Sequence, residues 1–181
     1  MKKTSIAAVL ATLAAAGVLA ACSPKHDWRD YRSPDAQFTA LFPSKPAVLT
    51  RDIDLDGKKV SLTMTASEVD GGTFAVGSAT LDNAEQAQAA LPAMKTALLK
   101  NINGKVRNEQ TAAAASSTGA GMHQRSSLSI EATGTQQGKP VLLVGRFVAQ
   151  DKHIAQIVIL GEESKLSRET IETFLDSVKL E

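Results

Sequence analysis

Nucleophilic and metal-binding side chains are few in this 181-residue chain, which has one cysteine and three histidines. The histidines (His26, His123 and His153) lack the HxH or HxxxH spacing with which two imidazoles bind one metal ion. His123 lies near Ser126 and Ser127, but the GxSxG turn that presents a catalytic serine does not occur in the sequence. We therefore predict that the protein is not an enzyme and that it uses no metal and no cofactor.

The cysteine, Cys22, stands between an apolar run and a polar segment. The chain opens with Lys2 and Lys3, and no residue from Ile6 to Ala21 is charged. A positive start followed by about 7–15 apolar residues is typical of a secretory signal peptide. A membrane-spanning helix needs about 20 apolar residues, which is more than this run comfortably provides. The sequence predicts a signal peptide over residues 1–21.

The segment Leu19-Ala20-Ala21-Cys22 resembles the lipobox of bacterial lipoproteins, in which small residues precede a lipidated cysteine. The resemblance implies cleavage between Ala21 and Cys22. It also implies a diacylglyceryl thioether and an amide-linked acyl chain such as palmitate on Cys22. Several acyl chains give a stable membrane anchor, whereas one chain binds weakly. Because Ser23 rather than aspartate follows Cys22, we expect attachment to the outer membrane, facing the periplasm.

The remainder of the chain has a nearly balanced charge. Residues 22–181 carry 18 basic and 19 acidic side chains, because both Lys2 and Lys3 belong to the predicted signal peptide. Nucleic-acid-binding domains are usually basic, so we expect no nucleic-acid partner. A length near 150 residues favours one domain, and a single cysteine cannot form an intramolecular disulfide.

Residues 22–35 are polar, and the sequence predicts a lipidated N-terminus and tether there, followed by a single domain over residues 36–181. Trp28 and Tyr31 interrupt the polarity of the tether. We favour the interpretation that they fold back onto the edge of the core. The alternative is an aromatic anchor at the lipid interface.

Alternation of apolar and polar residues predicts several strands. The clearest is residues 60–69, VSLTMTASEV, in which one face is apolar and the other carries serines and threonines. Residues 140–150 and 153–161 are apolar on both faces, which predicts the centre of a sheet. The segments Asp56-Gly57, Asp70-Gly71-Gly72, Gln137-Gly138 and Asp151-Lys152 predict the turns of antiparallel hairpins. Residues 115–121, ASSTGAG, predict a flexible loop.

Two segments have helical periodicity. Residues 82–104 begin with Asp82 as the expected N-cap, and their apolar face is Leu91, Met94, Leu98 and Ile102. Pro92 predicts a kink or a break into two helices, because proline removes one backbone hydrogen bond.

The second helix is predicted in the C-terminal segment SRETIETFLDSVKL. Ser167 is the expected N-cap, and the apolar stripe is Ile171, Phe174, Leu175 and Val178. We expect this stripe to be buried against the sheet.

The order of these elements resembles a known fold. A Phe-x-x-x-Phe-Pro strand at residues 38–43 precedes a meander, a central helix, a second meander and the segment TIETFLDSVKL. This order is similar to the PsbP-like fold, particularly to small bacterial lipoproteins of the DcrB type. The expected fold class is α+β, with an antiparallel meander sheet sandwiched by a central helix and a C-terminal helix.

The resemblance does not bring any catalytic residue onto this sequence. We therefore expect a lipid-anchored envelope protein whose non-enzymatic domain faces the periplasm and binds a protein partner in envelope maintenance. The alternative is a carrier or chaperone for a lipid or another apolar envelope ligand. Such a carrier needs an apolar cavity between sheet and helices.

Overall fold

The computed structural model describes residues 26–36, 38–55, 57–118 and 121–180. The predicted signal peptide, its cleavage site at Ala21 and the predicted lipidation site Cys22 lie outside the described residues. Ten strands and two helices form the described part of the chain.

The first five strands precede the first helix. They are β1 (Arg29–Arg32), β2 (Phe38–Phe42), β3 (Ala47–Leu55), β4 (Lys58–Val69) and β5 (Gly72–Thr80). Helix α1 (Ala84–Asn101) follows. The next four strands are β6 (Lys105–Thr118), β7 (Gly121–Gln136), β8 (Lys139–Gln150) and β9 (His153–Gly161). Helix α2 (Arg168–Ser177) and the short strand β10 (Lys179–Leu180) complete the described chain.

The strands form two antiparallel sheets. The large sheet has the order β3-β4-β5-β9-β8-β7-β6, and the small sheet has the order β1-β2-β10. The apolar strands β8 and β9 therefore lie inside the large sheet, and this prediction is confirmed. The edges of the large sheet are β3 and β6.

Two apolar cores cover opposite faces of the large sheet. On one face, α1 packs through Leu91 and Met94 against residues that include Phe147 and Ile154. On the other face, the small sheet and α2 pack together against the large sheet. The large buried side chains of this second core are Phe38, Phe42, Phe74, Ile159 and Phe174.

The predicted α+β fold class is wrong, because the described chain is mostly β. The sheet is not sandwiched between two helices: its second face is covered by a three-stranded sheet together with α2. Residues 105–118, where the sequence has no regular alternation, also form a long strand. It pairs with residues 121–136, in which Leu128, Ile130 and Ala132 alternate with polar residues and are buried. The predicted flexible loop at residues 115–121 therefore falls almost entirely within β6 and β7, with residues 119–120 outside the described part.

The predicted turns are confirmed where the structure describes them. Asp70 and Gly71 have φ of 51° and 75°, and Gln137 and Gly138 have φ of 52° and 78°. A positive φ at both central residues is typical of the type I′ turn of two-residue hairpins. Each pair joins neighbouring antiparallel strands of the large sheet.

The helices differ from expectation only in detail. The N-cap of α1 is Asn83 rather than Asp82, since Asn83 Oδ1 accepts a hydrogen bond of 2.9 Å from the backbone N–H of Gln86. Helix α1 continues through Pro92 as one element. In α2, Ser167 caps the helix as predicted, and its Oγ accepts from the backbone N–H of Thr170 at 3.1 Å.

The predicted apolar stripe of α2 is confirmed. Ile171 and Phe174 are fully buried, while Leu175 and Val178 are partly buried against the same core. Trp28 and Tyr31 pack against this core as well, which confirms the favoured interpretation of these two aromatic residues. Arg29–Arg32, within the segment predicted as a tether, pairs with β2 as strand β1.

Candidate functional site

A cleft of about 550 Å³ opens between the two sheets at one end of the domain. Its floor is formed by β4, β5, β8 and β9 of the large sheet near the Asp151-Lys152 turn. Its wall comes from the small sheet, through Asp35 and Ala36 before β2 and Leu180 of β10. The volume lies within the range of about 300–1,000 Å³ that is typical of small-molecule sites.

Four hydroxyl groups line the floor. Ser61 and Thr63 come from β4, and Ser78 and Thr80 come from β5. The two residues of each pair share one face of the sheet because side chains alternate along a strand. Thr63 pairs directly with Ser78 in the antiparallel register, so the two strands bring the hydroxyls into one patch.

The neighbouring strand adds an imidazole to this patch. His153 is the first residue of β9 and pairs with Thr80. The distance from Thr80 Oγ1 to His153 Nδ1 is 3.1 Å, which is a hydrogen bond. At the other side of the floor, Thr63 Oγ1 lies 2.9 Å from Thr50 Oγ1 of the edge strand β3. These contacts hold two of the floor side chains in defined orientations.

Few ionisable residues line the cleft. Its ionisable lining residues within the described ranges are Asp35, Asp151 and His153, and neither lysine nor arginine lines it. Asp151 Oδ1 accepts a hydrogen bond of 3.2 Å from the backbone N–H of Gln124. The remaining lining is mixed, with the amide of Gln150 beside the apolar side chains of Val148 and Ala155. Such a lining can bind a neutral polar molecule by hydrogen bonds.

The chain enters the described domain at the opposite end. Strand β9 runs from His153 at the cleft to Gly161, which is eight residues further along the chain and about 27 Å away. The loop after Gly161 leads to α2, where Thr170 Oγ1 lies 3.2 Å from His26 Nε2. We call the region around His26 and Thr170 the entry end of the domain.

The three histidines do not form one site. His26 contacts Thr170 and Trp28 at the entry end, with its ring edge-on to Trp28 at a centroid distance of 5.7 Å. His153 is exposed at the cleft. His123 belongs to β7, and its side chain lies outside what the structure describes.

The sequence predicted the polar face of β4 but not the cleft. Ser78 and Thr80 continue an alternating pattern in TFAVGSATL, and this pattern is the sequence feature from which a polar face on β5 could have been predicted. Their proximity to Ser61 and His153 depends on the strand order β4-β5-β9, which joins residues far apart in the chain.

Exposed ion pairs surround the entry end. Arg107 of β6 donates two hydrogen bonds to Glu163, at 2.5 and 3.1 Å, and Arg168 of α2 donates to Glu131 at 2.9 Å. The hydrogen bonds from Arg107 lower the pKa of the Glu163 carboxyl below its ordinary value. Hydrogen bonds from Lys165 and Lys139 lower the pKa of Glu162 in the same way.

The second exposed feature is the outer edge of β6, which has β7 on its other side. The side chains from Lys105 to Ala115 are all exposed. From Gln110 to Thr118 the strand has no charged residue and no proline. The other edge strand, β3, carries Arg51, Asp52 and Asp54. Charges on an edge strand discourage pairing with another chain, and β6 lacks them only from Gln110 onwards, because Lys105, Arg107 and Glu109 lie in its first half.

Two further kinds of site are absent from the described part of the chain. Neither helix in it is long and apolar enough to cross a bilayer. Within the same residues, no cluster of three or more His, Cys, Asp or Glu side chains is arranged to hold a metal ion.

Comparison with known proteins does not assign the chain to a family. No family model matches it, and no curated protein matches it. Among the solved structures that match is PA94 from Pseudomonas aeruginosa, a protein of unknown function. It is 12% identical over 77% of this chain and 85% of that chain, with a TM-score of 0.36. Likeness at that level carries no argument about function, and the lipobox and the PsbP-like resemblance stay predictions.

Proposed function

We propose that this protein is a bacterial envelope lipoprotein, anchored through acyl chains on Cys22, whose non-enzymatic domain binds a protein partner at the β6 edge. The anchor would lie in the outer membrane and the domain would face the periplasm. The observation that carries the partner proposal is the exposed, uncharged outer edge of β6 from Gln110 to Ala115.

The lipobox supports the anchor, and the short distance along the chain from Cys22 to the first described residues indicates which end of the domain lies near the membrane. His26 follows Cys22 by four residues, which can reach about 14 Å when fully extended. Acylation of Cys22 would therefore keep the entry end of the domain close to the membrane surface. The cleft, at the other end of β9, would face away from the membrane.

The β6 edge supports a partner that adds a strand. Strand addition uses the unpaired backbone N–H and C=O groups of an edge, and each hydrogen bond contributes about 0.5–1.5 kcal/mol net. The small side chains of Ala112–Ala115 leave room for another backbone to approach. Lys105, Arg107 and Glu109 restrict close pairing to the uncharged half of the strand, which has room for only a short added strand. The partner we propose is therefore an extended segment of an envelope protein.

The carrier alternative has less support. A carrier of apolar ligands needs a predominantly apolar cavity, and the cleft at the β8–β9 end has a floor of hydroxyl groups. Burying an acyl chain against these hydroxyls would remove their hydration without giving them new hydrogen bonds.

Site-specific photo-cross-linking tests the partner proposal. A photoreactive side chain is introduced at Ala113 of β6 in the full chain, expressed in its native host. The matched control is Ala89, which is also an exposed alanine but lies on α1. We expect Ala113 to give one discrete adduct whose cross-linked peptide is an extended segment of an envelope protein. We expect no such adduct from Ala89.

Lysine substitution provides the second arm. Ala112→Lys places a charge on the uncharged half of the edge and should reduce the Ala113 adduct severalfold, whereas Ala89→Lys should leave it unchanged. Equal adduct patterns from positions 113 and 89 would overturn the partner proposal. An adduct insensitive to Ala112→Lys would also contradict binding by strand addition.

A further inference from the structure

The cleft between the two sheets is distinct from the β6 edge, and its lining has a specific chemical character. We propose that it binds a neutral, polyhydroxylated ligand of the saccharide class. The proposal is independent of the protein partner, since the residues that carry it lie on β4, β5 and β9 and not on β6.

The floor favours a ligand that both donates and accepts hydrogen bonds. A serine or threonine hydroxyl has one donor and two acceptor positions, as a sugar hydroxyl has. Ser61, Thr63, Ser78 and Thr80 present four such groups on one surface, with the Gln150 amide at its side. The hydroxyls of a sugar ring can therefore exchange hydrogen bonds with this floor in either direction.

The charge of the lining argues against anionic ligands. Strong sites for phosphate or carboxylate groups use arginine or lysine as charged donors. The described lining of the cleft contains neither arginine nor lysine, and its charged residues include the acidic Asp35 and Asp151. A carboxylate such as Asp35 can instead accept hydrogen bonds from two adjacent sugar hydroxyls.

The apolar part of the lining suits the other surface of a sugar. Ala36 and Leu180, which are partly buried, stand on the wall formed by the small sheet, whereas Val148 and Ala155 lie almost fully buried beneath the floor. A pyranose ring presents C–H groups on its faces and hydroxyls on its rim. The cleft has the same combination, with a minority of apolar contacts beside a polar patch.

NMR titration of the full chain in detergent micelles tests the proposal. The probes are maltose and N,N′-diacetylchitobiose as neutral disaccharides. Inorganic phosphate, spermidine and laurate represent the anionic, cationic and apolar classes. We expect a neutral disaccharide to shift the backbone amides of Ser78, Thr80 and His153, with a millimolar or tighter dissociation constant. The amides of β6 should not shift.

Thr80→Val distinguishes hydrogen bonding from incidental contact. Valine has the shape of threonine without the hydroxyl, and Thr80 is exposed, so the fold should be retained. The variant should bind the disaccharide about two- to tenfold more weakly, the effect of one lost hydrogen bond. Thr73→Val is the matched control, because Thr73 is on the same strand but faces the opposite side of the sheet.

Three results would overturn the proposal. The first is an absence of shifts at the cleft with either disaccharide while both variants melt like the parent protein. The second is binding in the cleft of phosphate, spermidine or laurate only. The third is an equal effect of Thr80→Val and Thr73→Val on disaccharide affinity, which would mean that the floor hydroxyls do not contribute to binding.

Discussion

Replacing Phe174 with alanine tests how the second core holds the small sheet and α2 on the large sheet. The Phe174 ring lies in α2, fully buried, with ring-centroid distances of 5.4 Å to Phe42 of β2 and 5.4 Å to Phe74 of β5. Phe174 therefore joins helix α2 to the small sheet through Phe42 and to the large sheet through Phe74. A buried Phe→Ala change typically costs about 3–5 kcal/mol, from lost burial and the cavity left behind.

That cost is large relative to the whole stability of a domain, which is about 5–15 kcal/mol. For a domain of this size, each kcal/mol lowers the melting temperature by about 2–4 °C, so we expect a fall of about 6–20 °C. Urea denaturation followed by circular dichroism measures the free energy directly. Glu172→Ala is the control, because Glu172 is exposed on the same helix.

A double-mutant cycle tests the aromatic contact itself. Phe174→Ala and Phe42→Ala should be non-additive, with a coupling of about 0.5–1.5 kcal/mol, because the rings pack against each other. If Phe174→Ala lowered the free energy of unfolding by less than about 1 kcal/mol, the proposed role of Phe174 in the second core would be refuted, because that loss is well under the range for a buried phenylalanine. Full additivity with Phe42→Ala would refute the contact between the two rings.

Two further predictions concern a close backbone approach and a surface ion pair. Gly134→Ala should destabilise the domain by about 1–3 kcal/mol in urea denaturation, because a Cβ there would lie 2.3 Å from the carbonyl oxygen of Ile102; an unchanged midpoint would contradict this packing. Hydrogen bonding from Arg107 lowers the pKa of Glu163 below its ordinary value of 4.5, so the pair stabilises the fold above that pH and loses its effect as the pH falls through the lowered pKa. Glu163→Gln should therefore lower the melting temperature slightly at neutral pH but not in strong acid, and an equal difference at every pH would contradict the assignment.

Much of the fold could be predicted where the sequence carries local signals. The turns at Asp70-Gly71 and Gln137-Gly138 need positive φ, which Gly and neighbouring polar residues accept. The segments that became β8 and β9 are apolar on both faces because they are covered on both sides. The N-cap and stripe of α2 follow from side-chain chemistry and helical period.

The missed elements lack such signals for physical reasons. Residues 105–115 of β6 are exposed on both faces, so no alternation of apolar and polar residues marks them as a strand. Strand β1 lies in a polar segment, and β10 has two residues; both are defined by pairing with β2. The pairing of β10 with β2 is long-range, and the fold class was wrong because the small sheet that covers the second face depends on it.

The candidate cleft could be predicted only in part for the same reason. The polar face of β4 is visible as Ser61 and Thr63 alternating with apolar residues. Its meeting with Thr80 and His153 depends on the pairing of β5 with β9, which are separated by α1 and three strands. The N-cap of α1 is Asn83 instead of the predicted Asp82 because both residues are good capping residues and they are adjacent in sequence.

Intact-mass spectrometry of the protein purified from membranes of its native host tests the account most directly. We expect a chain that begins at Cys22 and carries the mass of a diacylglyceryl group and one further acyl chain. The full chain with Cys22→Ala should be released from the membrane fraction. An unacylated chain that retains residues 1–21 would contradict the anchor, and with it the membrane-proximal position proposed for the entry end.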